Sequence, residues 1–282
     1  MEATFYGVRG AIPSPGPGTV RYGGNTACVA VRLEAGNLVI LDCGTGARTL
    51  GLRLAGDAFG QGRGEGTLLL SHAHWDHIQG FPFFMPFYTA GNRFHIHGQA
   101  PTSALLEQTL EGQMSAQYFP AQSIRNMKAA LELHAAVDGT SFQIGAATVR
   151  VLANAHGTST ALAFRIEDAG RTLVYASDAD YGTEGPSDKA LKFYAGADLL
   201  IHDCTFSPED KPARAGRGLS SLDDAVAAAR GAQVARLALF HYDQDYSDDQ
   251  IDRLVARGRQ MVAGAQTNIE LFGAAEGQTV TL

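Results

Sequence analysis

The segment Ser71-His72-Ala73-His74-Trp75-Asp76-His77 follows the apolar run Thr67-Leu68-Leu69-Leu70 without a break. Extended residues i and i+2 share a face, and a turn after the strand swings the next pair round, so all four polar side chains can enter one cleft. His72 and His74 are then set to hold one metal, and Asp76 and His77 a second. Imidazole and carboxylate donors suit zinc, with Mn2+ or Fe2+ as alternatives, and a catalytic centre keeps one position open for water. A chain with such a segment needs a fold that brings further ligands to the same strand end.

Those ligands are present at later strand ends. His156 follows the apolar run 147–153, Asp178 follows 171–177 and His241 follows 236–240. A layered fold gathers polar residues that terminate apolar strands at one sheet edge. Further short runs suited to strands lie at 67–71, 93–98, 160–166 and 197–202, and the turn at Glu34-Ala35-Gly36-Asn37 predicts a hairpin within 27–42. Helical patterns cover 47–54, 102–111, 187–194, 222–230 behind Ser220 or Ser221 as cap, and 248–263 behind Ser247. Strands with intervening helices indicate an α/β layered fold.

No 20–50-residue repeat and no low-complexity linker divides the 282 residues, so a single domain over 1–282 is expected. Its least regular part, about 80–130, carries Phe81, Phe83, Phe84, Phe87, Tyr88, Tyr118 and Phe119 and is expected to be a buried lobe or an oligomer contact in preference to a substrate wall. A homo-oligomer would use that contact. Apolar residues at 45% suffice for a sizeable core. The net charge of −7 disfavours general nucleic-acid binding or an anionic-membrane coat, which leaves a small partner. Cys28, Cys43 and Cys204 form no C-x-x-C pair, which argues against a thiolate zinc site and for a reducing compartment. The start MEATFYGVRG lacks the features of a signal peptide, and no run reaches the length of a membrane helix, so a cytoplasmic location is expected.

The His cluster and the later ligands, in this order, resemble the metallo-β-lactamase-fold hydrolases. The resemblance implies a four-layer αββα sandwich with two divalent metals at one edge. It implies that His72, His74 and His156 hold the first metal, that Asp76, His77 and His241 hold the second, and that Asp178 bridges. Asp42, in Leu41-Asp42-Cys43-Gly44-Thr45-Gly46, matches the family's first motif, and there its carboxylate anchors the ligand loop by hydrogen bonds. A bridging Asp178 separates the chain from true β-lactamases and is similar to the ribonuclease Z, phosphodiesterase and glyoxalase II branches.

Gly7-Val8-Arg9-Gly10 and Arg21-Tyr22-Gly23-Gly24-Asn25-Thr26 are similar to the Gly-rich and Arg-Asn loops of the ribonuclease Z and phosphodiesterase side. The strings at 8–26, 74–84 and 199–206 resemble a bacterial and archaeal group whose natural substrates are poorly defined. The expected activity is hydrolysis of a small anionic phosphodiester, of nucleotide or cyclic-nucleotide type. Two metals activate a bridging hydroxide, Asp76 and Asp178 orient it, and Arg9, Arg21 and Asn25 grip the phosphate. Leu219 stands where the resemblance implies a proton-donating His, and His202 is the candidate substitute acid. His95, His97 and His134 are read as structural or solvated, and Cys43 and Cys204 as small hydrophobes. The rival readings are a thioester, lactone or other acyl hydrolase with the same metals, a two-iron protein, which would carry Glu in place of His74, and a metal-containing binding protein with little turnover.

Overall fold

The apolar runs at 38–41, 67–70, 199–202 and 237–240 become strands because they are buried on both faces. In the computed structural model, which describes residues 1–120, 123–214, 216–265 and 268–282, the first half of the chain forms β1 (Glu2–Gly7), β2 (Cys28–Arg32), β3 (Leu38–Leu41), β4 (Glu65–Leu70), β5 (Arg93–Gln99) and β6 (Ala130–Ala136). The second half forms β7 (Ser141–Ile144), β8 (Ala147–His156), β9 (Ser159–Asp168), β10 (Arg171–Ala176), β11 (Leu199–Asp203), β12 (Arg236–Phe240), β13 (Glu270–Gly273) and β14 (Thr279–Thr281). One seven-stranded sheet has the order β14-β1-β2-β3-β4-β5-β6, and the other β13-β12-β11-β10-β9-β8-β7.

Alternation along the parallel strands divides side chains between two cores. Val39, Leu41 and Leu69 join Phe5, Phe164, Tyr175 and Phe240 in the core shared by the two sheets. Leu38, Ile40, Leu68 and Leu70 face the other way, under α1 (Gly46–Leu54), whose Ala47, Leu50 and Leu54 are buried there, and α3 (Ser103–Gly112), which adds Leu106 and Leu110. A strand covered on both sides reads as a continuous hydrophobic run, and β3 and β4 do. The helices α4 (Asp188–Tyr194), α5 (Leu222–Gly231) and α6 (Asp248–Gly264) cover the second sheet. The result is the expected αββα sandwich.

Helix starts follow their caps. Ser221 precedes α5, with its backbone N–H donating to Asp224 Oδ2 at 2.7 Å, and Ser247 precedes α6, with its N–H donating to Gln250 Oε1 at 2.9 Å. Both are capping boxes. The 80–130 region contributes part of its aromatic string to the core under the helices. Phe81, Phe84 and Phe87 are buried against Phe94 of β5, while Phe83 and Tyr118 are exposed. Residues 121–122 of that stretch lie outside the described residues. No helix among the described residues is long and apolar enough to cross a membrane. The three cysteines are free and buried.

Candidate metal centre

The proposed ligands sit where apolar strands stop. Asp42 follows β3, His72 follows β4 by two residues, His156 ends β8, Asp178 follows β10 by two residues and His241 follows β12. These strands run in the same sense within their sheets, so their carboxyl ends share one edge of the sandwich. The four-residue helix α2 (Trp75–Ile78) then turns Asp76 and His77 inward, both buried. Asp42, Asp178 and His241 each have φ 57, in the left-handed region that L side chains rarely adopt. Three such residues at one site mark backbone held against its own preference by the surrounding packing.

The ligand atoms form two groups, each within 4.8 Å: His72, His74, His156 and Asp178, and Asp76, His77 and His241. Asp178 stands between them. Its Oδ2 lies 3.7 Å from His72 Nε2 and 3.6 Å from His156 Nε2, while its Oδ1 lies 3.4 Å from His77 Nε2 and 3.2 Å from His241 Nε2. Asp76 Oδ2 is 3.3 Å from His77 Nε2 and 3.1 Å from His241 Nε2. His156 Nε2 is 3.1 Å from His74 Nδ1.

The opposite ring nitrogens are engaged by the protein. His77 Nδ1 is 2.7 Å from Asp42 Oδ2, His156 Nδ1 is 2.6 Å from the Gly218 carbonyl, His241 Nδ1 is 3.1 Å from Thr205 Oγ1, and His72 Nδ1 is 3.0 Å from Ser71 Oγ. Such partners fix ring orientation and leave the other nitrogen for a metal. Asp42 also accepts from the Ser71 N–H at 2.7 Å and from Tyr175 Oη at 2.7 Å, so it ties the ligand loop to both sheets. His72 Nε2 is buried without a hydrogen-bond partner among the described residues. A buried unpaired imidazole nitrogen facing a carboxylate and three more imidazoles fits a divalent cation and has no good explanation in a metal-free hydrogen-bond network.

Electrostatics distinguish the two groups. Burial pushes His72 and His74 below the ordinary histidine range, aided by the neighbouring imidazoles, so both are neutral near neutral pH. Burial acts the same way on His77 and His241, but there the carboxylates outweigh it, Asp76 and Asp178 at His77 and Asp178 and Asp76 at His241, and both are pushed up. Burial would raise Asp76 and Asp178, yet the surrounding imidazoles hold both well below the usual carboxylate range.

The predicted phosphate grip is not assembled. Arg9 is fully buried, with Nε donating to the Gly23 carbonyl at 2.8 Å and Nη1 to the carbonyls of Tyr246 at 2.6 Å and Asp243 at 3.2 Å. Arg21 pairs with Asp249 and Asp252 on α6. The Asn25 amide donates to Glu276 Oε2 at 2.9 Å, and its carbonyl oxygen accepts from Thr45 Oγ1 at 3.1 Å. These contacts hold the loop, and Arg9 is shut off from solvent. What the loop brings to the site is backbone: the Ala11 N–H donates to Asp76 Oδ2 at 2.7 Å, and a Cβ on Gly10 would come within 2.3 Å of His241 Cε1. Only glycine permits that approach.

His202 is likewise not a substrate-facing acid. It is fully buried, with Nδ1 2.8 Å from the Asp203 carbonyl and Nε2 2.7 Å from Tyr181 Oη. Its neighbour Asp203 accepts from the Ala179 N–H at 3.1 Å and the Ser220 N–H at 2.7 Å, which ties the Asp178 loop to the loop before α5. The His202-Asp203 pair therefore supports loops.

Two further features lie beside the centre. Residues 211–217 carry Lys211, Arg214 and Arg217 immediately before Gly218, whose carbonyl holds His156. Lys211 is paired with Asp224 and Arg214 with Asp243, whereas Arg217 is exposed, and Leu219 lines an adjoining cavity of about 510 Å3. On the other flank Trp75 is 74% exposed inside the ligand loop, and with Ala73, Phe83, Tyr118 and Phe119 it lines a cavity of about 540 Å3. The clustering of basic residues in 211–217 was legible, but nothing in their order tied them to His156.

The profile of the beta-lactamase superfamily domain matches residues 37–242. The chain is 26% identical to ribonuclease Z of Haloferax volcanii over 321 residues, covering 99% of this chain and 94% of that protein. Among solved structures, the metallo-beta-lactamase fold protein YhfI from Bacillus subtilis superposes with a TM-score of 0.70 at 21% identity, covering 99% of this chain and 98% of YhfI. The short form of human tRNase Z, ELAC1, gives 0.68 at 20%, covering 100% and 99%. At these identities the two structures establish the fold.

Proposed function

The chain belongs to the beta-lactamase superfamily, and from that membership we propose that it is a metal-dependent phosphodiesterase of the metallo-β-lactamase fold, acting on a small nucleotide-type diester. The observation that carries this reading is Asp178, whose two oxygens are divided between two groups of imidazoles. In it His72, His74 and His156 hold one divalent cation, Asp76, His77 and His241 hold a second, and Asp178 spans both. Zinc suits the donor set, with Mn2+ or Fe2+ as alternatives. Cations held there supply charge that activates water and offsets negative charge on a phosphate.

The protein's own groups do the rest. Asp76, fixed by the Ala11 N–H, and Asp178 remain ionised and can take a hydrogen bond from the attacking water. Arg217, in place of Arg9 and Arg21, is the cation for a non-bridging phosphate oxygen. The exposed Trp75 with Phe83 and Phe119 offers a face on which a base can stack, worth about 1–3 kcal/mol per base.

A phosphodiester substrate is supported by the Haloferax relative, named as a ribonuclease, an activity that cuts such bonds. The net charge of −7 favours a small diester over a long polyanion. Turnover of bis(p-nitrophenyl) phosphate and of p-nitrophenyl acetate by protein loaded with zinc or manganese tests the reading. Preference for the diester is expected. Preference for the ester would instead establish the acyl hydrolase, and loss of neither metal nor fold with no turnover of either would establish a binding protein.

A further inference from the structure

A second set of ligand-type side chains lies on β5 and β6, level with Thr67 to Leu69 of β4. β5 and β6 pair in parallel with His95 opposite Glu132 and His97 opposite His134. Residues two apart share a face, so all four project together. Phe94 and Ile96, between the histidines, are buried under the helical layer, so the row faces the second sheet, where Phe142 of β7 lies flat on His97 with ring centroids 3.8 Å apart. A cavity of about 360 Å3 opens there beside Glu65 and Thr67, at the beginning of β4, whereas the centre described above follows that strand's end.

We propose that His95, Glu132 and His134 form a separate site for a divalent transition metal of the zinc type. His95 Nδ1 is 3.2 Å from His134 Nε2 and 3.4 Å from Glu132 Oε2, and one donor atom from each of the three lies within 4.8 Å of the others. Tetrahedral zinc with nitrogen ligands at 2.0–2.1 Å sets neighbouring donors about 3.3 Å apart, so the His95 separations already match. Two imidazoles and one carboxylate are a known zinc donor set that leaves a fourth position for water. The His95 side chain is 31% exposed and that of Glu132 51%, so an ion can enter from solvent. His134 is further fixed by His97, stacked on it at 4.6 Å, whose buried Nδ1 has no hydrogen-bond partner among the described residues. An ion at this place joins β6, the outermost strand of its sheet, to its neighbour β5. The proposal does not depend on what the main centre hydrolyses.

The test counts zinc in the full-length protein after removal of metal and dialysis against zinc. His95→Gln with His134→Gln is expected to lower the zinc content by one per chain, while hydrolysis by the main centre is retained. In the complementary variant, His72→Ala with His74→Ala, one zinc that disappears on adding His134→Gln is expected. Cobalt titration of both variants gives a second reading, since a cobalt ion bound by His95, Glu132 and His134 should show ligand-field absorption that His134→Gln removes. Equal zinc content in the wild type and the His95→Gln/His134→Gln variant, with no such absorption, would overturn the site and leave the row as a hydrogen-bonded histidine pair.

Discussion

Asp42 is not among the clustered ligand atoms, yet it holds one of those side chains in place. Its carboxylate takes hydrogen bonds from Ser71 and Tyr175 and holds His77 Nδ1, all from a left-handed backbone position that Asn can also adopt. Asp42→Asn should therefore fold but release His77, lowering metal affinity about 10–100-fold, as loss of a ligand's outer partner does. Competition with a chelator measures this, and unchanged affinity would remove the anchoring role. Leu219 makes the opposite kind of statement, a missing function. With His202 buried against Tyr181, the substitute acid that the sequence offers does not face a leaving oxygen. A general acid contributes about 10²–10⁴-fold, chiefly for poor leaving groups, so nitrophenyl diesters should be cleaved well and alkyl diesters slowly. Leu219→His should accelerate alkyl diesters more than nitrophenyl ones. Brisk cleavage of alkyl diesters by the wild type would show that another acid is in place.

At the scale of elements, the N-terminal loop is a clamp, and Arg9 is its bolt. Its guanidinium binds three carbonyls from two segments and lies 3.9 Å from Asp248, entirely out of solvent, where burial lowers its pKa against the pull of that carboxylate. Removing one member of a buried charged network costs about 3–5 kcal/mol. Arg9→Met should therefore lower the melting temperature and leave KM for a diester near that of the wild type, whereas a phosphate-binding Arg9 would raise KM with little effect on stability. The same loop shows what a sequence can reveal. The convergence of His72, His74, Asp76 and His77 after β4 with the later His156, Asp178 and His241 could be read because each stands at a strand end. Arg9 and Asn25 could not, since Arg and Asn serve a phosphate or a backbone carbonyl equally well and only the partners decide. The short β13 and β14 could not be read either. Their runs are brief, and what makes them strands is pairing with β12 and β1, which lie far away in the chain.

Across the whole molecule, the αββα sandwich gathers imidazoles of opposite protonation at one edge. In the metal-free protein His72 and His74 are neutral, while His77 and His241 are held protonated more strongly than usual by Asp76 and Asp178. A cation at His72, His74 and His156 finds ready lone pairs at the first two. A cation at Asp76, His77 and His241 must displace protons, because a bound imidazole has to be neutral. The sign follows: affinity at the second group should rise with pH, by about tenfold per unit for each proton displaced, until His77 and His241 lose their protons unaided. At the first group it should change little over the same range. Zinc titration of metal-free protein at about pH 6 and about pH 8, in buffers of different protonation enthalpy, measures both affinity and proton release. With the β5–β6 site removed by His95→Gln and His134→Gln, two steps are expected, the tighter nearly independent of pH and the weaker releasing protons and tightening at the higher pH. Two steps with equal pH dependence would mean that the carboxylates do not hold His77 and His241 protonated. Hydrolysis that needs both cations should then fall at acid pH through loss of the second, and excess zinc should restore it there, which a damaged fold would not allow.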